Sequence, residues 1–84
     1  MVKLLYLARL RESLGVGTES IVLPQGVHNV SGLRQWLCSR GEPWAGELSP
    51  GRPIRVAVNQ FVVEESTAVA DGDEVAFFPP VTGG

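Results

Sequence analysis

The chemistry this chain can offer is concentrated in its last six residues, Pro79-Pro80-Val81-Thr82-Gly83-Gly84. A terminal glycine presents an unhindered carboxylate, which is a poor acyl electrophile until one of its oxygens is made into a leaving group. Adenylation by ATP supplies that leaving group. The acyl-adenylate can then be attacked by an amine or alcohol, giving conjugation, or by a sulfur nucleophile, giving a thiocarboxylate that carries transferable sulfur. The residue types around the carboxylate suit either route. Pro79 and Pro80 lack backbone donors and fix φ near −65°, so they end sheet pairing and hold the chain extended. The six residues reach at most about 20 Å, enough to enter a deep pocket on another protein. Gly83 and Gly84 have no Cβ and pass through a channel too narrow for a side chain. The competing reading of the same residues is a frayed end carrying two glycines by accident.

Other reactive side chains do not assemble into a comparable pattern. Asp71, Asp73 and Glu74 lack the twelve-residue spacing of an EF-hand and read as a polar turn, so no metal site is expected. His28 is the only histidine, and no serine or cysteine stands at a spacing that would make it a catalytic base. Cys38 reads as a small half-buried apolar residue of a helix, and Trp36 and Trp44 as packing residues around it. Arg9 and Arg11 are too small a cluster to argue phosphate binding.

The composition narrows the function classes further. The 84 residues and 9.0 kDa form one small domain that buries roughly 60–65% of its surface on folding, with no room for a dinucleotide-binding fold. Seven Lys and Arg against nine Asp and Glu give a net charge of −2, so neither nucleic acid nor an anionic membrane surface is an expected partner. One cysteine cannot close an intramolecular disulfide, and no secretory leader pattern or run of about 20 apolar residues is visible, so a cytoplasmic protein is expected.

The tail must be held by a scaffold, and the pattern along the chain describes one. Val2 to Leu10 is apolar on both alternate sets, as a central strand should be. Arg11 to Leu14 is a turn or two of helix stopped by Gly15 and Gly17, and Glu19 to Leu23 is a second strand, antiparallel to the first because the link is short. Asn29 caps the one substantial helix, whose apolar positions are Val30, Leu33 and Leu37, with Gly41 as its expected left-handed stop. Glu42 to Pro53 reads as a loop with one helical turn near Trp44 to Leu48. Arg55 to Val58 and Phe61 to Val63 flank a turn at Asn59-Gln60, and Glu74 to Phe78 is the last strand. This order predicts an α+β fold of the ubiquitin-like β-grasp kind, a mixed sheet packed on one main helix. The domain would cover residues 1–78, with residues 79–84 as an extended, flexible Gly-Gly tail leaving from a rigid central strand. Phe77 and Phe78 are consecutive on that strand, so they point to opposite faces and only one can fill the helix-side core.

The run Asp71-Gly72-Asp73-Glu74-Val75-Ala76-Phe77-Phe78-Pro79-Pro80-Val81-Thr82-Gly83-Gly84 closely resembles the C-terminal signature of the small, sulfur-carrier subunit of molybdopterin synthase. The likeness extends to Arg11-Glu12 after the first strand, to Leu33-Arg34-Gln35 in the helix and to the Val58-Asn59-Gln60 turn, and is least diagnostic from Glu42 to Pro53. The resemblance implies a carrier with no permanently bound cofactor. Its Gly84 is adenylated by an ATP-dependent adenylyltransferase, bears an AMP ester transiently, and becomes a thiocarboxylate with sulfur from a persulfide protein. It also implies docking on the large synthase subunit in a heterotetramer of two small and two large chains, where sulfur passes to cyclic pyranopterin monophosphate. The catalytic residues would belong to the large subunit, making this chain a sulfur-donating subunit. By the same resemblance, Pro79, Pro80, Val81, Thr82 and Gly83 occupy the partner's channel, and Leu7, Val62 and Phe78 form the docking surface. Two other readings stand beside it: a ubiquitin-like modifier joined to lysines through Gly84, and a sulfur carrier for thiazole synthesis or another thiolation pathway.

Overall fold

A computed structural model describes residues 1–80, in the order β1 (Val2–Tyr6), α1 (Arg9–Leu14), β2 (Thr18–Ile21), α2 (Val30–Cys38), α3 (Trp44–Glu47), β3 (Arg55–Val58), β4 (Phe61–Val63) and β5 (Glu74–Phe78). The strands form one five-stranded mixed sheet of order β2-β1-β5-β3-β4. β1 runs antiparallel to β2 and parallel to β5, and β3 is antiparallel to both β5 and β4. The two terminal strands therefore lie side by side in the middle, as the sequence pattern predicts for a β-grasp fold. Among the described residues no helix is long and apolar enough to cross a membrane.

Alternation along the strands creates the core. Val2, Leu4 and Tyr6 of β1, Val56 and Val58 of β3, and Val75 and Phe77 of β5 all point to one face, where Val30, Leu33 and Leu37 of α2 and Leu10 and Leu14 of α1 complete one buried cluster. Asn29 caps α2 as expected, its side-chain oxygen accepting from the Gly32 N–H at 2.8 Å. Gly32 also suits that cap, since a Cβ there would come within 3.3 Å of the same Asn29 oxygen.

Several boundaries differ from the expectation, among them β2, which is Thr18–Ile21 where Glu19 to Leu23 is expected, and α1, which begins at Arg9 where Arg11 is expected. The first strand stops at Tyr6, not Leu10, because Ala8 takes φ 54° and ψ −132°, which breaks the ladder and starts α1 at Arg9. Apolar pattern alone could not show this, since Leu10 is apolar in either state and is buried from α1. Helix α2 stops at Cys38 with Ser39 as its cap, and the left-handed residue Gly41, φ 91°, follows only after a further turn. Arg40 in that turn lies 4.9 Å from the rings of both Trp36 and Trp44, so the tryptophans pack on a guanidinium as well as on the core. Arg40 in turn binds both carboxylate oxygens of Glu19 on β2, at 2.9 and 3.0 Å. Glu19 also accepts from the Tyr6 hydroxyl at 2.7 Å, which joins β2, β1 and the helix end in one network.

Candidate functional site

The sheet face opposite the helices is built by the residues that alternate with the core. The pairing register sets Leu5 beside Ala76, Ala76 beside Ala57, and Ala57 beside Val62, one row across four strands. In the next row Phe78 pairs with Arg55, and Leu7, whose N–H donates to the Phe77 carbonyl at 3.0 Å, follows β1 alongside Phe78. Two alanines thus make a low centre, with Leu5, Leu7, Val62 and Phe78 around it. Among these, Leu7 is 42% exposed and Val62 57% exposed, an apolar surface that no described element covers.

The structure places Phe77 in the core, fully buried and 6.4 Å from the Tyr6 ring, and leaves Phe78 half-buried on the other face. The three residues singled out for docking, Leu7, Val62 and Phe78, thus share one face, though Val62 stands three strands from Leu7 in the sheet order. Phe61, 74% exposed, was not singled out. It pairs with Val58, a residue of the core face, at the hairpin end of β4, so it belongs to the other side of the sheet.

The tail begins where this face ends. Pro79 and Pro80 follow the central strand directly and, with Arg9, Leu10, Glu47, Arg52, Pro53 and Ile54, line a cleft of about 160 Å³. Val81, Thr82, Gly83 and Gly84 lie outside the described residues, so the acyl-bearing position and the rest of the expected channel segment are placed only by sequence.

The 48–52 segment along that cleft is held by a residue that sequence reasoning noted only as part of a likeness. The Arg34 side chain is buried and donates from Nε to the Leu48 carbonyl at 2.7 Å, and from Nη2 to the Ser49 and Arg52 carbonyls at 2.6 and 2.9 Å. Its Nη1 pairs with Glu65. A loop broken by prolines has few backbone partners of its own, and one guanidinium gathers three of its carbonyls. The signal available in the sequence was a lone arginine between Leu33 and the Trp36-Leu37 pair on the apolar side of α2.

At the far end of the sheet the acidic residues serve the turns. The Asp73 carboxylate accepts from the Ala70 N–H at 2.9 Å and from the Asn59 amide at 3.0 Å, and these bonds, the backbone one foremost, hold its carboxyl below the ordinary carboxylate range. Asn59 also accepts from the Glu74 N–H at 3.0 Å, which ties the β3–β4 turn to the start of β5. Asn59 and Gln60 both have positive φ, 51° and 73°, the twist that a two-residue hairpin turn requires.

Comparison with known proteins agrees with the fold. Residues 4–84 match the ThiS family. The molybdopterin synthase sulfur carrier subunit of Escherichia coli is 43% identical over 84 residues, covering 100% of both chains. A solved structure described as a molybdopterin converting factor, subunit 1, from Pyrococcus furiosus superposes with a TM-score of 0.76 at 35% identity, covering 95% of this chain and 97% of that one. A complex of subunits 1 and 2 of the molybdopterin-converting factor from Helicobacter pylori contains a chain with the same fold, with a TM-score of 0.64 at 21% identity over 99% of this chain and 97% of that one. The chain belongs to the ThiS family, among the ubiquitin-like sulfur carrier subunits of molybdopterin synthase.

Proposed function

We propose that this protein carries sulfur as a thiocarboxylate on Gly84 and delivers it, docked on the large subunit of molybdopterin synthase, to cyclic pyranopterin monophosphate. The observation that supports this most directly is the position of Pro79 and Pro80. They follow the central strand β5 at the edge of an uncovered apolar face formed by Leu5, Leu7, Val62 and Phe78. A partner that binds this face holds the strand from which the terminal residues follow. The Helicobacter pylori complex of subunits 1 and 2 shows that a chain of this fold assembles with a second subunit.

The chemistry at Gly84 begins with two displacements. Its carboxylate oxygen attacks the α-phosphorus of ATP on the adenylyltransferase, releasing pyrophosphate. The outer sulfur of a protein persulfide then displaces AMP, giving an acyl disulfide, and a thiol cleaves its S–S bond, releasing the Gly84 thiocarboxylate and leaving a disulfide on the donor side. In the synthase the sulfur passes to the precursor, and water supplies the oxygen with which the carrier returns as a carboxylate. A dithiolene holds two sulfurs, so two charged carriers are consumed per product. This chain supplies the acyl group and its presentation, and the large subunit supplies the residues that act on the pterin.

The test is mass spectrometry of the intact chain after incubation with ATP, the adenylyltransferase, a persulfide donor and a thiol reductant, followed by mixing with the large subunit and the precursor. The expected result is a gain of sulfur minus oxygen at the C-terminus, lost again as the dithiolene forms. Lysine-linked ladders with no thiocarboxylate would identify a modifier instead. Turnover by a chain lacking Gly84 would overturn the mechanism.

A further inference from the structure

Three arginines ring the root of the tail. Arg9 and Arg52 line the cleft beside Pro79 and Pro80, and Arg55 is the cross-strand neighbour of Phe78 in the apolar row. All three are exposed. Among the described residues Arg9 and Arg55 form no ion pair, and Arg52 has only Glu47, at 3.9 Å. Glu64, which follows β4 next to Val63, the partner of Val56, is the acidic group placed closest to Arg55 in the register, and no ion pair joins them. Arg11 is different, because its side chain lies against Gly17, within 2.9 Å of where a Cβ would stand, and so faces the other side of α1. The acidic groups Asp71, Asp73 and Glu74 sit at the opposite end of β5. A chain of net charge −2 thus gathers three guanidinium groups where its tail departs, against one cleft carboxylate, Glu47, and Glu64 across from Arg55.

We propose that Arg9, Arg52 and Arg55 form a cationic collar that recognises an acidic rim around the mouth of the channel on the large synthase subunit. The proposal rests on the docking reading above. Guanidinium groups are planar, permanently charged and matched to carboxylates, and arginine is favoured over lysine where an apolar contact is framed by ion pairs. Arg55 stands within the docking face itself, beside Phe78, so a partner covering the phenyl ring must meet its charge. An isolated arginine buried by an apolar partner would be costly, whereas a facing carboxylate compensates it. The cleft at Arg9 and Arg52 has room for an acidic side chain beside the prolines. Long-range attraction would orient the chain so that its tail end meets the channel before short-range contact begins.

The experiment is stopped-flow association of the whole chain with the large subunit across a salt series, using wild type, Arg9→Gln/Arg55→Gln and Gln25→Glu/Gln60→Glu. The last variant lowers the net charge by the same amount at exposed positions away from the tail root. Melting of each free variant checks that the fold is kept. The wild-type association rate should fall about tenfold from about 0.01 M to about 1 M salt, as the screening length shrinks from about 30 Å to about 3 Å. The arginine variant should associate several-fold more slowly at low salt and respond weakly to salt, while the glutamate variant should resemble wild type. Equal rates for wild type and the arginine variant would overturn the collar, as would equal slowing of both variants. Charge dependence seen only with the adenylyltransferase would overturn the choice of partner. Failure of wild type to bind the large subunit at any salt would instead overturn the docking reading beneath it.

Discussion

Phe77 and Phe78 are adjacent, chemically identical and separated in role by the pleat of one strand. Phe77→Ala should destabilise the free domain by about 3–5 kcal/mol, because it empties a fully buried site in the core cluster, on the central strand between β1 and β3. Phe78→Asp should have a much smaller effect on the melt and weaken docking by about 2 kcal/mol or more. Calorimetric titration on the large subunit, paired with urea melts of each variant, checks both numbers, and equal loss of stability would mean the faces are misassigned. This division was legible from alternation, but which phenylalanine faces the helix needed the register of β5 against β1 and β3. At Gly83, a Val side chain should slow both adenylation and sulfur transfer, since a β-branched residue narrows the backbone and adds bulk in each partner's channel. A chemically prepared thiocarboxylate should restore only the first step, and a normal single-turnover transfer rate from that protein would show that the tail meets no tight channel in the synthase.

Elements here are set by a few local decisions that hydrophobic pattern does not display. Ala8 ends β1 by adopting a backbone conformation that side chains disfavour, at a cost of about 1–3 kcal/mol. Ala8→Gly should therefore raise stability by up to about 1 kcal/mol, the strain relieved being partly offset by the freer unfolded chain, and a lower urea midpoint would show that the conformation is not strained. The loop from Glu42 to Pro53 was readable only as broken chain with one helical turn, and α3 supplies that turn. What organises the rest is Arg34, a tertiary contact from α2 that no local pattern contains. Arg34→Met keeps much of the apolar stem but leaves three carbonyls and Glu65 without their donor, so it should cost about 3 kcal/mol or more in chemical unfolding. Because the same loop carries Arg52 to the root of the tail, that variant should also weaken the salt dependence of docking, whereas Ala8→Gly should not.

Across the whole molecule, charged and phenolic groups fix the pH range in which the sheet and helix stay joined. Burial raises the carboxyl of Glu19, but hydrogen bonds from Arg40 and from Tyr6 outweigh it and hold the group below its ordinary value of 4.5. Asp73 lies below its ordinary 3.8 through the bonds from Ala70 and Asn59. A carboxyl depressed on folding adds stability that is complete above the unfolded value and is lost as pH falls through the folded one. Stability should therefore hold down to about pH 5 and decline below 4.5. Tyr6 has the opposite sign. Burial foremost, then its bond to Glu19, raises its hydroxyl above the ordinary 10.0, so its contribution is complete below that value and is lost as pH rises beyond it. Tyr6 is the only tyrosine, so phenolate absorbance reports this one site. In an alkaline titration the phenolate should appear well above pH 10.0, together with loss of helix signal, because ionising Tyr6 beside the Glu19 carboxylate breaks the bond that joins β1 to β2. Tyr6→Phe should remove the phenolate signal and lower stability at neutral pH. Glu19→Gln should flatten the acid limb and bring the Tyr6 ionisation closer to pH 10.0. A phenolate that forms near the ordinary value in the wild-type chain, with the helix signal intact, would show that the Tyr6–Glu19–Arg40 network does not hold the hydroxyl in solution.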